Sequence, residues 1–449
     1  MGTITFGGLS TGLNTGALID ELVRVERQPI TLLESKQAKL KQNVSLLQDL
    51  ISKLSALKSA ATKLSTVANF FVKKATGSNE TVLDVSAGSN ADVGNHTIIV
   101  NTLARASTVA SASFADTDIT TVGMGTLRIT VGTTITDISV DGTNNTLQGL
   151  RDAINDSGAA VTASIILENA GASPTYRLAV TGKDTGTVNA VSFDTNGLTL
   201  GGGSLALGFT TTQAAQDAAL MIDGIAITRA TNTISDAITG ITLDVKSTSA
   251  SPIQVTTNND TEEIKKQLNN FVTAYNEIMS FIATQTKYDS NSKTAAPLIG
   301  NATVISLQRT LQRVLTTPVV GTPSILAEIG IATQRDGTVV VDDAKLTSAL
   351  QTNLEGVSNL FLATTNGVAQ ATVDFVTNAT RSGDGILSTH ITGTQDRIRQ
   401  IDDQIARKET NLDKFRENLI RRFSALETLV SQLQTQGNFL AQHLSSLNA

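Results

Sequence analysis

The chain has 449 residues, a formal net charge of −6 and a pI near 5.2, and aromatic residues make up only 4% of it. This balance excludes a nucleic-acid-binding protein driven by a basic surface, and a sugar-binding platform of stacked aromatic rings is not expected. Cysteine is absent, so neither disulfide staples nor a thiolate zinc site is predicted. At roughly 100–200 residues per domain, the length predicts about three domains.

The opening residues and the hydropathy pattern bear on export and on membranes. The stretch MGTITFGGLS has neither a basic n-region nor a continuous apolar h-region, so no Sec-type signal is predicted. No run of about 18 apolar residues occurs, so no membrane span is predicted either. We therefore expect that any export of this chain uses another route.

The first predicted elements are an amphipathic helix that Pro29 ends and a longer helix over residues 31–64. Thr31 and Glu34 have the spacing of a capping box, which marks a helix start. Apolar residues then recur at intervals of three and four, which is typical of a coiled-coil seam. The predicted seam residues of this helix are Leu40, Val44, Leu47, Ile51 and Leu54. Such a seam requires a partner helix.

The C-terminal stretch repeats the same spacing from about residue 398 and supplies that partner. Its predicted seam residues are Ile405, Leu412, Phe415, Leu419, Phe423 and Leu426. An ordinary helical-bundle core is an equally good interpretation of the apolar stripe over residues 40–64. Residues 1–28 and those beyond about 430 carry apolar stripes diluted by Gly, Asn, Gln and Thr, and we expect them to become ordered on assembly.

The middle of the chain, from about residue 76 to 257, is rich in Thr, Ala, Gly and Asp and contains short β-type runs. Asp223-Gly224 between two apolar runs predicts a two-residue hairpin turn. Thr146 predicts the cap of one helix, which ends at Gly158. Because helical segments flank this β-rich region, we expect β domains inserted between terminal helices that pair as a stalk.

Helices return after the β-rich region, beginning at Asp260, which with Glu263 forms a predicted cap. Gly383 and Gly385 interrupt the pattern before the last helix and form a predicted hinge. The other elements predicted here are helices near residues 303–316, 343–352 and 354–362 and a hairpin at Asp336-Gly337.

No constellation of catalytic or metal-binding residues is recognisable in the sequence. The histidines are far apart: His96, His390 and His443. The loops at residues 116–118 and 141–145 fit local backbone capping better than calcium binding, since neither has the length of an EF-hand loop. The GGGS run at 201–204 lacks the Lys-Ser/Thr ending of a phosphate-binding loop, so a flexible loop is predicted. We expect no enzyme activity, no cofactor and no metal.

Two motifs near the start carry a resemblance to a known family. Gly8-Leu9-Ser10-Thr11-Gly12-Leu13 precedes the first helix, and Glu26-Arg27-Gln28-Pro29 follows it. This order resembles the start of the flagellar filament cap family, hook-associated protein 2 of the FliD type. Further stretches that resemble the family lie at residues 101–114, 146–155, 269–279, 326–346 and 421–444. Each motif is loose, but together they span nearly the whole chain in the expected order.

The resemblance implies an α+β multidomain fold, in which paired N- and C-terminal coiled-coil helices and a helical leg domain carry two inserted β-rich head domains. The terminal assembly region is expected to be partly disordered when it is not assembled. The implied boundaries are 1–40 with 400–449 for the terminal region, 41–72 with 258–399 for the leg, 73–112 with 212–257 for one head, and 113–211 for the second head inserted in the first.

The resemblance also implies a structural assembly protein that is secreted and located at the distal tip of the flagellar filament. Copies of the chain would form a homo-oligomeric ring that promotes folding and insertion of exported flagellin. The other implied partners are hook-associated junction proteins and a cytosolic export chaperone at the C-terminal helix, with no nucleic acid and no membrane. The residues expected to dock on the filament are Phe6, Leu9, Leu13, Leu18, Leu22, Leu433, Leu440 and Leu444.

Three alternatives stay open at this point. A flagellin-like or hook-junction subunit also pairs helical termini around β insertions, although this opening does not resemble that of flagellin. A surface adhesin with β-rich binding heads is the second, and the scarcity of aromatic residues weighs against sugar stacking. An enzyme with a hidden site is the weakest hypothesis, and loss of a hydrolase activity on mutation of one histidine would revive it.

Overall fold

The computed structural model describes residues 12, 14–291 and 293–447, with side chains described up to residue 442. The chain forms two compact units. The first contains both ends of the chain, up to Val67 and from Lys265 onwards, and the second is Ala68–Ile264. The first unit is mainly helical and the second is mainly β, so the fold is α+β and multidomain, as predicted. The predicted domain boundaries stay predictions.

The helices are α1 (Thr15–Glu26), α2 (Gln28–Thr62), α3 (Val67–Phe70), α4 (Leu147–Asp156), α5 (Thr261–Thr286), α6 (Ala302–Thr316), α7 (Asp343–Thr352), α8 (Leu354–Leu362), α9 (Val368–Thr380) and α10 (Ile386–Leu447). Short 3₁₀ turns lie at Thr187–Asn189 and Leu326–Ile329.

The strands up to residue 199 are β1 (Lys73–Gly77), β2 (Leu83–Ala87), β3 (Gly94–Thr102), β4 (Thr108–Ala110), β5 (Met124–Val131), β6 (Thr134–Val140), β7 (Val161–Asn169), β8 (Thr175–Gly182), β9 (Val191–Asp194) and β10 (Leu198–Thr199). The later strands are β11 (Thr210–Gln213), β12 (Ala218–Ile222), β13 (Ile225–Arg229), β14 (Thr233–Ile238), β15 (Ile241–Val245), β16 (Ser249–Asn259), β17 (Tyr288–Asp289), β18 (Thr294–Ala295), β19 (Ile331–Thr333) and β20 (Val339–Val341).

In the first unit, α2 packs against both α9 and α10, and α1 packs against α10. The core of this unit includes Leu47, Leu54 and the fully buried Tyr275 of α5. Burial raises the pKa of the Tyr275 phenol, whose hydroxyl donates to the Gly337 carbonyl at 3.0 Å. The β19–β20 hairpin is thereby fastened to α5.

The start of α2 corrects one sequence prediction. The helix begins at Gln28, so Thr31 lies within its first turn and the predicted capping box with Glu34 is wrong. The Thr31 amide donates to the Arg27 carbonyl at 3.2 Å. Pro29 belongs to this same first turn, where its missing N–H leaves no hydrogen bond unmade. Only Arg27 separates α1 from α2, because Pro29 ends one helix and is well suited to begin the next.

Several local predictions are confirmed. Ile222 pairs with Ile225 across the turn at Asp223-Gly224, whose φ angles are 50° and 82°. The Gly149 amide donates to the Thr146 hydroxyl at 3.2 Å and caps α4. Three further predictions also hold: the cap of α5 at Asp260, the hairpin at Asp336-Gly337, and helices α6, α7 and α8.

The second unit contains two hydrophobic clusters. The first lies on the sheets β1-β16-β3-β12-β13 and β14-β15-β2 and includes the fully buried Leu83, Ile98 and Leu243. The second lies where α4 covers the sheets β11-β4-β8-β7 and β10-β5-β6, and it includes Leu150 and Leu178. The second cluster spans residues 109–207, which interrupt the sequence of the first. This arrangement agrees with a nested insertion of one β region in another.

Truncation of a core leucine of α2 tests the contribution of this helix to stability. Leu50 is fully buried, whereas Leu32 of the same helix is 73% exposed. We expect Leu50→Ala to lower the free energy of unfolding of the first unit by about 2–5 kcal/mol, because a cavity remains. Leu32→Ala should change it by less than about 0.5 kcal/mol. Urea denaturation followed by the helical circular-dichroism signal measures both, and equal effects of the two variants would contradict the packing described for α2.

Candidate assembly surface

The long helix α10 is the central element of the candidate site. Its 62 residues extend about 90 Å. Ile401 and Leu412 are buried, and the half-buried Ile405 lies between them. Of the other predicted seam residues, Leu419 and Phe423 are half-buried, and Phe415 and Leu426 are exposed. Burial therefore declines towards the outer end of the helix.

The predicted seam of α2 is mostly buried. Val44, Leu47 and Leu54 are buried, while Leu40 and Ile51 are half-buried. Sequence reasoning missed two fully buried residues of this helix, Leu50 and Leu57. They continue the three- and four-residue spacing, and α2 needs a broader apolar face than one seam because it packs against α9 as well as α10.

Helix α1 packs against α10. The Asn14 side chain accepts from the Ala17 amide at 3.0 Å and caps α1. Thr15 and Ile19 are buried. Asp20 lies 3.7 Å from Arg416 of α10, an exposed ion pair of small stabilising effect.

Beside this buried face, α1 has an apolar row that no described residue covers. Leu18, Leu22 and Val25 are exposed, although Ile19 of the same helix is buried. They follow one another at spacings of four and three, so they form one apolar row on the helix surface.

The outer end of α10 presents a second apolar row. Leu426, Leu429, Leu433 and Leu440 recur at heptad spacing and are all exposed, Leu433 by 58% and Leu440 by 60%; we call them the outer stripe. Every described side chain from residue 431 to 442 is exposed. An amphipathic helix with its apolar face in water is a surface suited to another helix.

The remaining predicted docking residues have no described side chain. Phe6, Leu9 and Leu13 are not among the described residues, and the side chain of Leu444 is not described. The docking role of all these residues stays a prediction.

The turn between α9 and α10 contains the predicted hinge. Gly383 has φ of 93° and its Cβ position is open, so only its backbone conformation favours glycine. A Cβ at Gly385 would lie 2.4 Å from the Arg381 carbonyl oxygen and 2.6 Å from the Arg381 nitrogen. The Gly385 amide donates to that carbonyl at 2.9 Å. Gly385 is therefore a close-packing glycine, and hinge motion at this turn stays a prediction.

The histidines have separate surroundings. His96 Nδ1 lies 2.7 Å from Asp223 Oδ2 in the second unit. His390 Nε2 lies 3.3 Å from Asn301 Nδ2 in the first unit, and the side chain of His443 is not described. Within the described ranges, no group of three or more His, Cys, Asp or Glu side chains is arranged to hold a metal ion.

The acidic loops are occupied by local hydrogen bonds. Asp116 accepts from the amides of Ile119 and Thr120 at 2.9 and 2.7 Å. The Thr120 hydroxyl and these amides hold the pKa of Asp116 below its usual range. Asp141 likewise accepts from the Thr143 amide at 2.8 Å. These bonds favour the capping interpretation.

No helix among the described residues combines the length and apolar character that crossing a bilayer needs.

Family models match at both ends of the chain. The model of the flagellar hook-associated protein 2 N-terminus matches residues 11–107, and that of the C-terminus matches residues 215–435. The B-type flagellar hook-associated protein 2 of Pseudomonas aeruginosa is 32% identical, with 98% of each chain covered. The chain belongs to the flagellar hook-associated protein 2 family.

Other members of the hook-associated protein 2 family agree with this assignment. The protein of Escherichia coli strain K12 is 28% identical, with 99% of each chain covered. The crystal structure of the D1-D2-D3 domains of the Escherichia coli flagellar cap protein FliD is similar with a TM-score of 0.65 and 32% identity, covering 78% of this chain and 99% of that one. The matches of the two family models include α1, α2 and most of α10, whereas residues 108–214 fall between them.

Alanine substitutions at three glycines test the interpretation of the turn before α10. Gly385→Ala should lower the free energy of unfolding of the first unit by about 3 kcal/mol, because the methyl group collides with backbone. Gly383→Ala should lower it by about 1 kcal/mol through its positive φ. Gly393→Ala is the control: it lies in α10 with nothing within 4 Å of its Cβ position, and it should raise stability by up to about 1 kcal/mol. Urea denaturation gives the order, and a neutral Gly385→Ala would contradict the close packing.

The Asp223 carboxylate gives a pH-dependent prediction for the second unit. The Thr97 amide and His96 hold the pKa of Asp223 below its usual range. The stability that this carboxylate contributes is therefore present above its unfolded pKa of about 3.9 and is lost as the pH falls through the folded pKa. Asp223→Asn keeps a residue that tolerates positive φ. The variant should lose less stability than the original chain between neutral pH and about pH 3, as measured by thermal unfolding; parallel losses would contradict the prediction.

Proposed function

We propose that this chain forms the cap at the distal tip of the bacterial flagellar filament and promotes folding and insertion of exported flagellin subunits. The observation that carries the proposal is the outer stripe of α10, a heptad row of exposed leucines in a member of the hook-associated protein 2 family. A further support is the similarity to a solved structure described as the flagellar cap protein FliD.

In this proposal the outer stripe and the exposed row of α1 dock on filament subunits. Full burial of one leucine side chain contributes about 1.5–3 kcal/mol, so a few such residues suffice for a reversible contact. The contact has to be reversible because the cap moves outwards as each subunit is added. The mechanism needs no bond chemistry, and we propose no enzyme activity.

Several copies of the chain would form a homo-oligomeric ring whose β-rich units make the plate above the growing filament. Newly exported flagellin would be retained below the plate while it folds. The turn at Gly383 and Gly385 would allow the helical legs to adjust as each subunit enters. Hook-associated junction proteins would be the first surface on which the ring sits.

The same apolar surface needs cover before assembly. We propose that a cytosolic export chaperone binds the outer part of α10 and releases it at the flagellar type III export channel. The chain would pass through that channel unfolded and be secreted, and the absence of cysteine suits such a passage because no disulfide has to be broken.

Of the alternatives, the flagellin-like subunit is disfavoured because the matching family is hook-associated protein 2. An adhesin role of the β-rich unit is compatible with capping and would be an additional activity. It would appear as binding by a chain whose capping has been abolished.

A double substitution in the outer stripe tests the proposal. Leu433→Gln with Leu440→Gln keeps helix-forming residues and removes the apolar surface. We expect short or absent filaments, little swarming, and flagellin released as monomer into the medium, because a cap that cannot dock does not retain subunits. Filament length by electron microscopy and monomeric flagellin in the culture supernatant measure the effect.

The control for this experiment is Ile119→Gln, which replaces an exposed isoleucine of the second unit. It should leave filaments and swarming unchanged. Normal filaments with the double variant, secreted at the normal level, would overturn the docking role of the outer stripe.

A further inference from the structure

A closed ring of identical chains sets a requirement for the surface of each copy. In a cyclic ring the contact is heterologous, so each copy presents two different patches that fit one another. If both patches lie in one compact unit, their relative placement is fixed by that unit. The first unit has two such features, at opposite ends of α6.

The first feature is a protruding valine. Val320 is 90% exposed and lies in the loop of residues 317–324 that follows α6. The Val319 amide donates to the Ser324 carbonyl at 2.8 Å, and Asn359 Nδ2 donates to the Val320 carbonyl at 2.7 Å. The backbone is thus held from both sides while the side chain stays in water.

Two further bonds fix the same loop. Asn353 Nδ2 donates to the Thr322 carbonyl at 3.2 Å, and the Ser324 amide donates to Glu328 Oε2 at 2.7 Å. A preordered loop loses little conformational entropy on binding. We call Val320 on this loop the knob.

The second feature is a groove of about 650 Å³ between the start of α6 and the first turns of α10. Its lining includes Thr303, Ile386, His390, Gly393 and Arg397. Ile386 is exposed, and a Cβ at Gly393 would meet nothing within 4 Å. The groove therefore offers one large apolar side chain, Ile386, among mostly polar ones, and vacant space where α10 lacks a side chain.

The positions of the two features exclude a contact within one chain. The groove adjoins Thr303 in the first turn of α6, and the knob follows Thr316 at the end of this helix. Fifteen helical residues place them about 20 Å apart. A knob can therefore enter only the groove of another copy, which is a head-to-tail contact.

The charges beside the two features are complementary. Glu328 adjoins the knob through its bond to Ser324. Arg397 and Asp384 both line the groove, and Asp384 is paired with Arg381 at 3.2 Å, which leaves Arg397 as the unpaired charge there among the side chains described. Over the described residues neither Glu328 nor Arg397 forms an ion pair. Opposite charges at the rim of an interface fix its register and favour the correct partner.

We propose that the knob of one copy enters the groove of the next copy in the ring, with Glu328 facing Arg397. The partner at this surface is a second copy of this chain. The inference rests on the proposed cap, because it assigns a contact within the proposed ring.

Disulfide cross-linking tests the contact, and the absence of cysteine removes any background from native thiols. In the full-length chain, Val320→Cys and Gly393→Cys are combined and mildly oxidised at concentrations at which light scattering detects oligomers. We expect a ladder of covalent oligomers on non-reducing gels. An equal mixture of the two single variants should stop at the dimer, because each copy then carries only one of the two thiols.

The matched control combines Val340→Cys, an exposed valine of the same unit, with Gly393→Cys, and it should give no ladder. Val320→Asp should lower the oligomer mass measured by light scattering, whereas Val340→Asp should not.

Oligomers that form without a Val320–Gly393 ladder and that withstand Val320→Asp would overturn this contact and leave the ring standing. A chain that stays monomeric both in solution and on filament tips, with no ladder, would overturn the ring and this contact together.

Discussion

The packing of α2 against α10 is the contact on which the rest of the first unit depends. It joins residues near the beginning of the chain to residues near its end, and a polar bond from the Gln37 amide to the Asp402 carboxylate accompanies the buried leucines. Both helices belong to the first unit, and the β-rich second unit lies between them in the sequence. The second unit is therefore an insertion in the sequence of a helical unit. The helix α9 adds a second partner for α2 and broadens its buried face.

The lengths of these helices explain why an apolar surface is left over. The 62 residues of α10 are opposed by the 35 residues of α2 and the 12 of α1. Over the outer turns of α10, the described part of the chain supplies no helix to cover the leucines, although their heptad spacing is that of a buried seam. An uncovered seam is unfavourable in water, and this is the physical reason to regard the outer stripe as a surface for assembly.

The two units differ in how locally their structure is specified. The second unit depends on turns whose residues fit one conformation, such as Asp223-Gly224 in its hairpin and Thr146 at the start of α4. The first unit depends on contacts between distant segments, such as Asn276 of α5, which both donates to and accepts from the backbone of Val339 at 2.7 Å. The knob and the groove likewise depend on segments that are distant in the sequence, since α6 and α10 meet only in the folded unit.

The sequence by itself determined the helices of both ends, the hairpin turns at Asp223-Gly224 and Asp336-Gly337 and the caps at Thr146 and Asp260, because apolar periodicity and turn residues act over a few neighbours. It did not determine where α2 begins, since Pro29 is compatible with ending one helix and with starting another. It also missed Leu50, Leu57 and the whole of α9, because a periodic pattern identifies an apolar face but not the number of partners that cover it. Only the tertiary structure decided which leucines of α10 are covered and which stay in water, because that depends on where the partner helices end.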